Sequence, residues 1–200
     1  MKQYPINEIF YSLQGEGYYA GTPALFIRFS GCNLRCPFCD TRHEEHEMMT
    51  AEDILFGPKE YLSDGCPLVV FTGGEPSLFL DQELVNEVRR VFGNIPIMVE
   101  TNGTHPIQAK GVGVTLSPKD QFVGGAKLAV DTCFELKVVW DGNCDPTKYD
   151  SIRAKYRFLQ PCDTGDKAKN EKLVAEAVEF VKSHSGWRLS LQTQKIINVR

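Results

Sequence analysis

Leu68-Val69-Val70-Phe71-Thr72-Gly73-Gly74-Glu75-Pro76 decides the fold. Four consecutive apolar residues leave no polar side, the pattern of a strand covered on both faces, as in a parallel sheet. The run stops in a polar, glycine-rich turn, and Asp81 then opens a helix expected to reach Phe92.

The same alternation extends in both directions. Upstream, Ala24-Leu25-Phe26-Ile27-Arg28-Phe29 reads as the first strand. Thr50-Ala51-Glu52-Asp53 sets a threonine cap three residues before an acid and starts a helix towards Leu62. Downstream, residues 95–99, 112–116, 133–139, 157–161 and 187–191 read as strands. Residues 167–183 carry Leu173, Val174, Ala177, Val178 and Val181 at helical spacing. Alternation over the whole chain predicts an α/β fold with parallel strands. A complete eight-stranded barrel usually takes about 250 residues. The 200 residues here fit a partial, open parallel barrel of about six strands, a single domain spanning 1–200. Segments 42–49 and 119–127 read as mobile surface.

Composition narrows the function. Twenty-two basic and 26 acidic residues give a net charge of -4, which disfavours direct nucleic-acid binding. No run approaches the roughly 20 apolar residues of a membrane span. The N-terminal Met1-Lys2-Gln3-Tyr4-Pro5 lacks an export signal, and seven cysteines are an odd count for a disulfide framework. A cytoplasmic, reducing location is expected.

Polar motifs collect after the strands, where ligands bind in parallel α/β folds. The densest is Cys32-Asn33-Leu34-Arg35-Cys36-Pro37-Phe38-Cys39. Three thiolates are one short of a closed tetrahedral site. On an iron–sulfur cube they leave one iron open to a ligand. Zinc, with His43 or His46 as fourth ligand, and ordinary reduced thiols remain alternatives on spacing alone. Cys66 and Cys133 abut apolar segments and read as small buried hydrophobes. Arg28 is a charge in an apolar strand, facing either a pocket or the solvent side of an edge strand.

The cysteine run followed by Thr72-Gly73-Gly74-Glu75-Pro76 resembles the radical S-adenosylmethionine superfamily. Leu13-Gln14-Gly15-Glu16-Gly17, Cys39-Asp40-Thr41, Glu100-Thr101-Asn102-Gly103-Thr104, Ser117-Pro118-Lys119 and Leu191-Gln192-Thr193-Gln194-Lys195 narrow it. Together they resemble the 7-carboxy-7-deazaguanine synthases, from about residue 8 to residue 195. The resemblance implies conversion of 6-carboxy-5,6,7,8-tetrahydropterin to 7-carboxy-7-deazaguanine with loss of ammonia. It implies a [4Fe–4S] cluster on Cys32, Cys36 and Cys39, with Gly31 turning the chain near it. S-adenosylmethionine would meet Gly74, Glu75, Glu100, Asn102, Ser117, Lys119 and Gln160. The glycines would admit its methionine end, and Glu75 would face its ammonium. Asn102 is alternatively a left-handed turn residue.

The pterin would meet Gln14, Glu16, Arg28, Thr72 and Gln194. Its 2-amino-4-oxopyrimidine edge presents donors to a carboxylate, and its own carboxylate suits a guanidinium. Mg2+ would meet Thr41. Gln194 stands where the family has histidine, and an amide does not change charge near neutral pH. A reducing partner such as flavodoxin or ferredoxin and a homodimer are also implied. The rivals are a glycyl-radical activase, or a non-enzymatic iron–sulfur or zinc protein.

Overall fold

Val69, Val70 and Phe71 are fully buried, with a parallel neighbour on each side, as the four-residue apolar run requires. The computed structural model describes residues 2–41, 45–58, 65 and 67–199. Its strands are β1 (Gln3–Leu13), β2 (Pro23–Phe29), β3 (Glu47–Thr50), β4 (Val69–Gly73), β5 (Ile97–Thr101), β6 (Gly113–Leu116), β7 (Thr132–Trp140), β8 (Arg153–Pro161) and β9 (Arg188–Leu189). Its helices are α1 (Ala51–Phe56), α2 (Gln82–Phe92), α3 (Lys167–Ser183) and α4 (Thr193–Ile196).

The strands form one sheet in the order β3-β1-β2-β4-β5-β6-β7-β8-β9, parallel from β2 to β9. The order is linear, so the parallel barrel is partial and open. Two strands were not foreseen: β1 and β3, which pair antiparallel beside β2. Most of β1 is only half-buried, and Pro5 lies within it, so its sequence lacks the apolar run that marks β4. Segment 42–49 is therefore not wholly loop, because 47–49 belong to β3; residues 42–44 lie outside the described ones.

Thr50 and Asp53 form the expected reciprocal cap, but α1 ends at Phe56; most of the stretch towards Leu62 lies outside the described residues. Helix α2 starts from an Asp81 cap and turns Leu84, Val85, Val88 and Phe92 inward. They pack with Ile27, Phe71 and Val99. Ala177 of α3 joins Leu136, Val138 and Leu159 in a second core. A third cluster, Ala24, Phe26, Leu68, Val70 and Met98, comes from the strands themselves and from Leu68 just before β4.

Beyond that apolar floor, register places a polar row across adjacent strands. Arg28 lies opposite Thr72, and Glu100 opposite Thr115, which lies opposite Glu135. Thr72 Oγ1 donates to Glu100 Oε2 at 2.6 Å and joins the two halves. Segment 119–127 is an ordered turn, not loose surface: the amides of Phe122 and Val123 both donate to Lys119 O at 2.9 Å, and the Phe122 ring meets Phe38 edge-on. Cys133 is buried as expected, as are Cys144 and Cys162; Cys66 lies outside the described residues.

Candidate active site

The C-terminal strand ends surround a cavity of about 1130 Å³. All the sequence-predicted site residues line it. The cysteine loop forms one wall, with Cys32 and Cys36 half-buried and Cys39 exposed. Leu34 N donates to Cys32 Sγ at 3.4 Å, and Cys39 N to Cys36 O at 3.2 Å. Burial pushes the Cys32 and Cys36 thiols up, so their ionised form calls for a bound cation. Among the described residues, no three His, Cys, Asp or Glu side chains are grouped as ligands of a metal ion. A cube spreads its thiolates over separate irons, and three free thiols along one cavity wall fit that donor set. His46 is exposed, and His43 lies outside the described residues.

The loop's starting point is fixed by backbone contact. Gly74 N donates to Phe29 O, and Glu75 N to Gly31 O, both at 2.9 Å. A Cβ on Gly74 would stand 1.9 Å from Gly31 O. Close approach of the segments after β2 and β4 therefore already requires a glycine here. Gly31, at φ +85°, does turn the chain as expected.

Glu75 is 1% exposed and largely occupied. Its Oε1 accepts from Thr101 Oγ1 at 2.6 Å and Ser77 N at 3.0 Å, and its Oε2 from Asn102 N at 2.8 Å. A carboxylate has about four acceptor positions, so about one is left for a ligand. Asn102 is not a left-handed turn residue; among the described non-glycine residues that conformation belongs to Asn198. Its side chain donates to Asn33 Oδ1 at 3.0 Å and accepts from Thr104, bracing the cysteine loop against β5.

Arg28 faces the cavity. Its Nε donates to Glu8 at 2.7 Å, its Nη1 to Thr41 Oγ1 at 3.2 Å, and it lies over the Phe10 ring. Glu16 belongs to the turn after β1 but is no loose surface residue. Its Oε2 pairs with Lys137, and its Oε1 accepts from Gln192 at 3.1 Å and Gln194 at 3.0 Å. Burial would raise the Glu16 carboxyl, but Lys137 and the two amides outweigh it and hold it at about 2. Gln14 donates to Glu100 at 3.3 Å.

The C-terminal segment is ordered rather than mobile. Thr193 N donates to Gly15 O at 3.2 Å, and α4 follows. Gln194 gives its amide to Glu16, with its Oε1 buried and unpartnered. Gln160 accepts from Ser190 Oγ at 2.9 Å. Lys119 Nζ donates to Ser117 O at 2.9 Å, and burial, with Lys137 nearby, lowers it to about 8.

Sequence reasoning missed Glu8, Lys137, Gln192, Asp163 and Lys195, all on the cavity wall, and Glu135 beneath the turn after β1. Glu135 and Lys137 carried the signal that exposed Arg28, a charge inside an apolar strand, here Phe134-Glu135-Leu136-Lys137-Val138. Glu135 accepts from Tyr18 N and Thr115 Oγ1, each at 2.7 Å, and burial raises its carboxyl.

Residues 26–111 match the Radical SAM superfamily. The chain is 46% identical over 195 residues to a 7-carboxy-7-deazaguanine synthase of Bacteroides thetaiotaomicron, with 98% of each chain covered. It is 38% identical over 220 residues to the enzyme of that name from Nitratidesulfovibrio vulgaris, covering 98% of this chain and 99% of that one. The solved structure of QueE from Escherichia coli superposes with a TM-score of 0.77 at 28% identity, covering 96% of this chain and 94% of that one.

Proposed function

The chain belongs to the 7-carboxy-7-deazaguanine synthases of the radical SAM superfamily, and from this we propose how its cavity residues divide the work. The reaction is the conversion of 6-carboxy-5,6,7,8-tetrahydropterin to 7-carboxy-7-deazaguanine with loss of ammonia, in 7-deazapurine biosynthesis. The activase and non-enzymatic readings are set aside by identity that spans nearly the whole chain. The [4Fe–4S] cluster and S-adenosylmethionine supply the radical chemistry when bound.

Cys32, Cys36 and Cys39 hold the cluster. Gly74, Glu75, Glu100, Asn102, Ser117, Lys119 and Gln160 surround S-adenosylmethionine, with the remaining acceptor position of Glu75 for its ammonium. Glu16, with three of about four acceptor positions taken by Lys137, Gln192 and Gln194, accepts one N–H of the pterin edge, Gln14 and Thr72 hold neighbouring polar groups, and Gln194 steadies Glu16. Arg28 meets the substrate carboxylate. Thr41, whose hydroxyl accepts from Arg28, would supply one hard oxygen to Mg2+. The 200 residues work as one domain, as a cytoplasmic homodimer served by a flavodoxin- or ferredoxin-type reductant, without direct nucleic-acid contact. Among the described residues no helix is long and apolar enough to cross a membrane.

The observation that carries this assignment is the convergence of the three thiols, the Glu75 strand end and the Arg28–Glu16 side on one cavity. The test is anaerobic incubation of reconstituted protein with the reduced carboxypterin, S-adenosylmethionine and a reductant, followed by mass spectrometry. The expected product is 7-carboxy-7-deazaguanine. Unchanged pterin with an intact, reducible cluster would overturn the substrate assignment.

A further inference from the structure

Lys137 lies within β7, far from both ends of the chain, yet it joins residues from the first hairpin and the last helix. Its ammonium pairs with Glu16 and stands 3.9 Å from Glu100 Oε1; the side chain is 8% exposed. A buried ammonium is costly unless paired. Here the pairing has two arms. Glu16 also takes the amides of Gln192 and Gln194, while Glu100 takes the Thr72 hydroxyl and the Gln14 amide.

The Glu16 carboxylate is consequently an acceptor at both oxygens, and with Lys137, Gln192 and Gln194 on it about one of its four acceptor positions is left for a substrate N–H. Protonated, it would gain an O–H donor and lose part of its acceptor capacity. A 2-amino-4-oxopyrimidine edge offers adjacent N–H donors from its amino group and ring nitrogen. Its 2-oxo counterpart puts a carbonyl acceptor where the amino group was. A site built to accept from an N–H rejects an analogue that lacks it, because buried polar groups are left unpaired.

We propose that Lys137 is a positioning residue that sets substrate-edge specificity: it keeps Glu16 an ionised acceptor, so the cavity takes the 2-amino-4-oxo edge and discriminates against the 2-oxo one. The inference rests on the reading of Glu16 as the pterin contact. Electrostatics agree with the geometry. Burial would lower the Lys137 ammonium, but Glu16 and Glu100 hold it well above the ordinary lysine value. The charged groups acting on Lys137 and Glu16 are each other, Glu100 from β5, Glu135 from β7 and Lys119 after β6. Without Lys137, Glu16 loses its ion pair and keeps the two neutral amides and the more distant Lys119 against the cost of burial, and its carboxyl rises.

The test measures binding in cluster-loaded protein with S-adenosylmethionine present and no reductant, so that nothing turns over. Dissociation constants for 6-carboxytetrahydropterin and its 2-oxo counterpart are compared between pH 6 and 8.5. Wild type should prefer the 2-amino ligand at least tenfold, with a flat profile. Lys137→Met should bring the preference below threefold and make 2-amino binding weaken towards the acid end of the range, the direction that protonation of Glu16 gives. Lys137→Arg should restore the preference, and it carries the test if the methionine variant does not fold. A wild-type preference and flat profile in a folded Lys137→Met, or loss of preference in a folded Lys137→Arg, would overturn the proposal. Glu16→Gln separates the two layers. If it leaves the preference intact, the placement of the pterin at Glu16 fails; if it abolishes the preference while Lys137→Met keeps it, the role of Lys137 alone fails.

Discussion

The Lys195 ammonium lies 3.0 Å from Asp40 Oδ2, so the last helix is tied by charge to the residue directly after Cys39. Asp163, after β8, holds the same ammonium at 2.9 Å. Gly165 N, Lys195 and Asn170 hold the Asp163 carboxyl down at about 2. The three groups bridge two edges of the cavity mouth.

Lys195→Ala should cost less than about 1 kcal/mol of stability, because the partners are substantially exposed. Its larger effect should be faster bleaching of the reconstituted cluster in air, followed by absorbance. High salt should speed bleaching of the wild type towards the variant's rate, since exposed ion pairs are screened. Equal bleaching rates at low salt would show that the bridge does not shield the loop.

Anaerobic reconstitution should load four irons and four sulfides per chain, and Cys36→Ala should lose both cluster and turnover. Stoichiometric zinc, with no iron-dependent activity, would contradict the cluster assignment.

Arg28→Ala should weaken substrate binding at least tenfold, corresponding to loss of a charge-assisted pair worth about 1.5–3 kcal/mol. S-adenosylmethionine affinity should hold. Because the Arg28–Glu8 ion pair is lost as well, Arg28→Lys should be the more stable of the two variants in denaturant titrations. Thr41→Ala should leave the cluster loaded and blunt any Mg2+ stimulation of turnover; an unchanged Mg2+ response would remove Thr41 from the metal assignment.

Gly15→Ala should undock the C-terminal segment. A Cβ at that position would meet Gln194 Oε1 at 1.8 Å and the Gln194 backbone N at 2.8 Å. Hydrogen exchange should rise across 192–199 while β4 and β5 stay protected. A Gln194→Ala background should recover only part of the loss, since the backbone conflict remains. Unchanged exchange in the single variant would show that the hairpin moves instead.

Glu16 should also leave a mark on acid stability. Its carboxyl is depressed from the ordinary value of 4.5 to about 2, so its stabilisation is complete above the unfolded value and drains away as pH falls towards the folded one. Glu16→Gln should therefore lose less stability than wild type between pH 4.5 and 2, measured by urea unfolding. Parallel stability curves would show that another carboxylate carries the acid sensitivity.

Legibility followed burial. The apolar 68–71 run announced β4 because both faces are covered, and Thr50 with Asp53 announced the α1 cap because its chemistry is local. Half-buried β1 gave no comparable signal, and its pairing with β3 depends on contacts distant in sequence. The cysteines by their spacing and Arg28 as a charge in an apolar strand drew attention to the cavity they line, while Glu75 was singled out by the family resemblance. The partners of Glu16 were not, because Lys137 and Gln194 reach it only after β7 and the C-terminal segment have docked on the first hairpin.

That late docking sets an order in time. The cysteine loop leaves the ribosome long before Gln192 and Gln194, with a delay on the order of ten seconds or more at ordinary elongation rates. During that interval a nascent chain already carries its three thiols, while Glu16 still lacks both of its amides and the cavity has no C-terminal wall. The cysteine loop is thus exposed to its surroundings on a polypeptide that has not yet made the cavity wall carrying Gln192, Gln194 and Lys195.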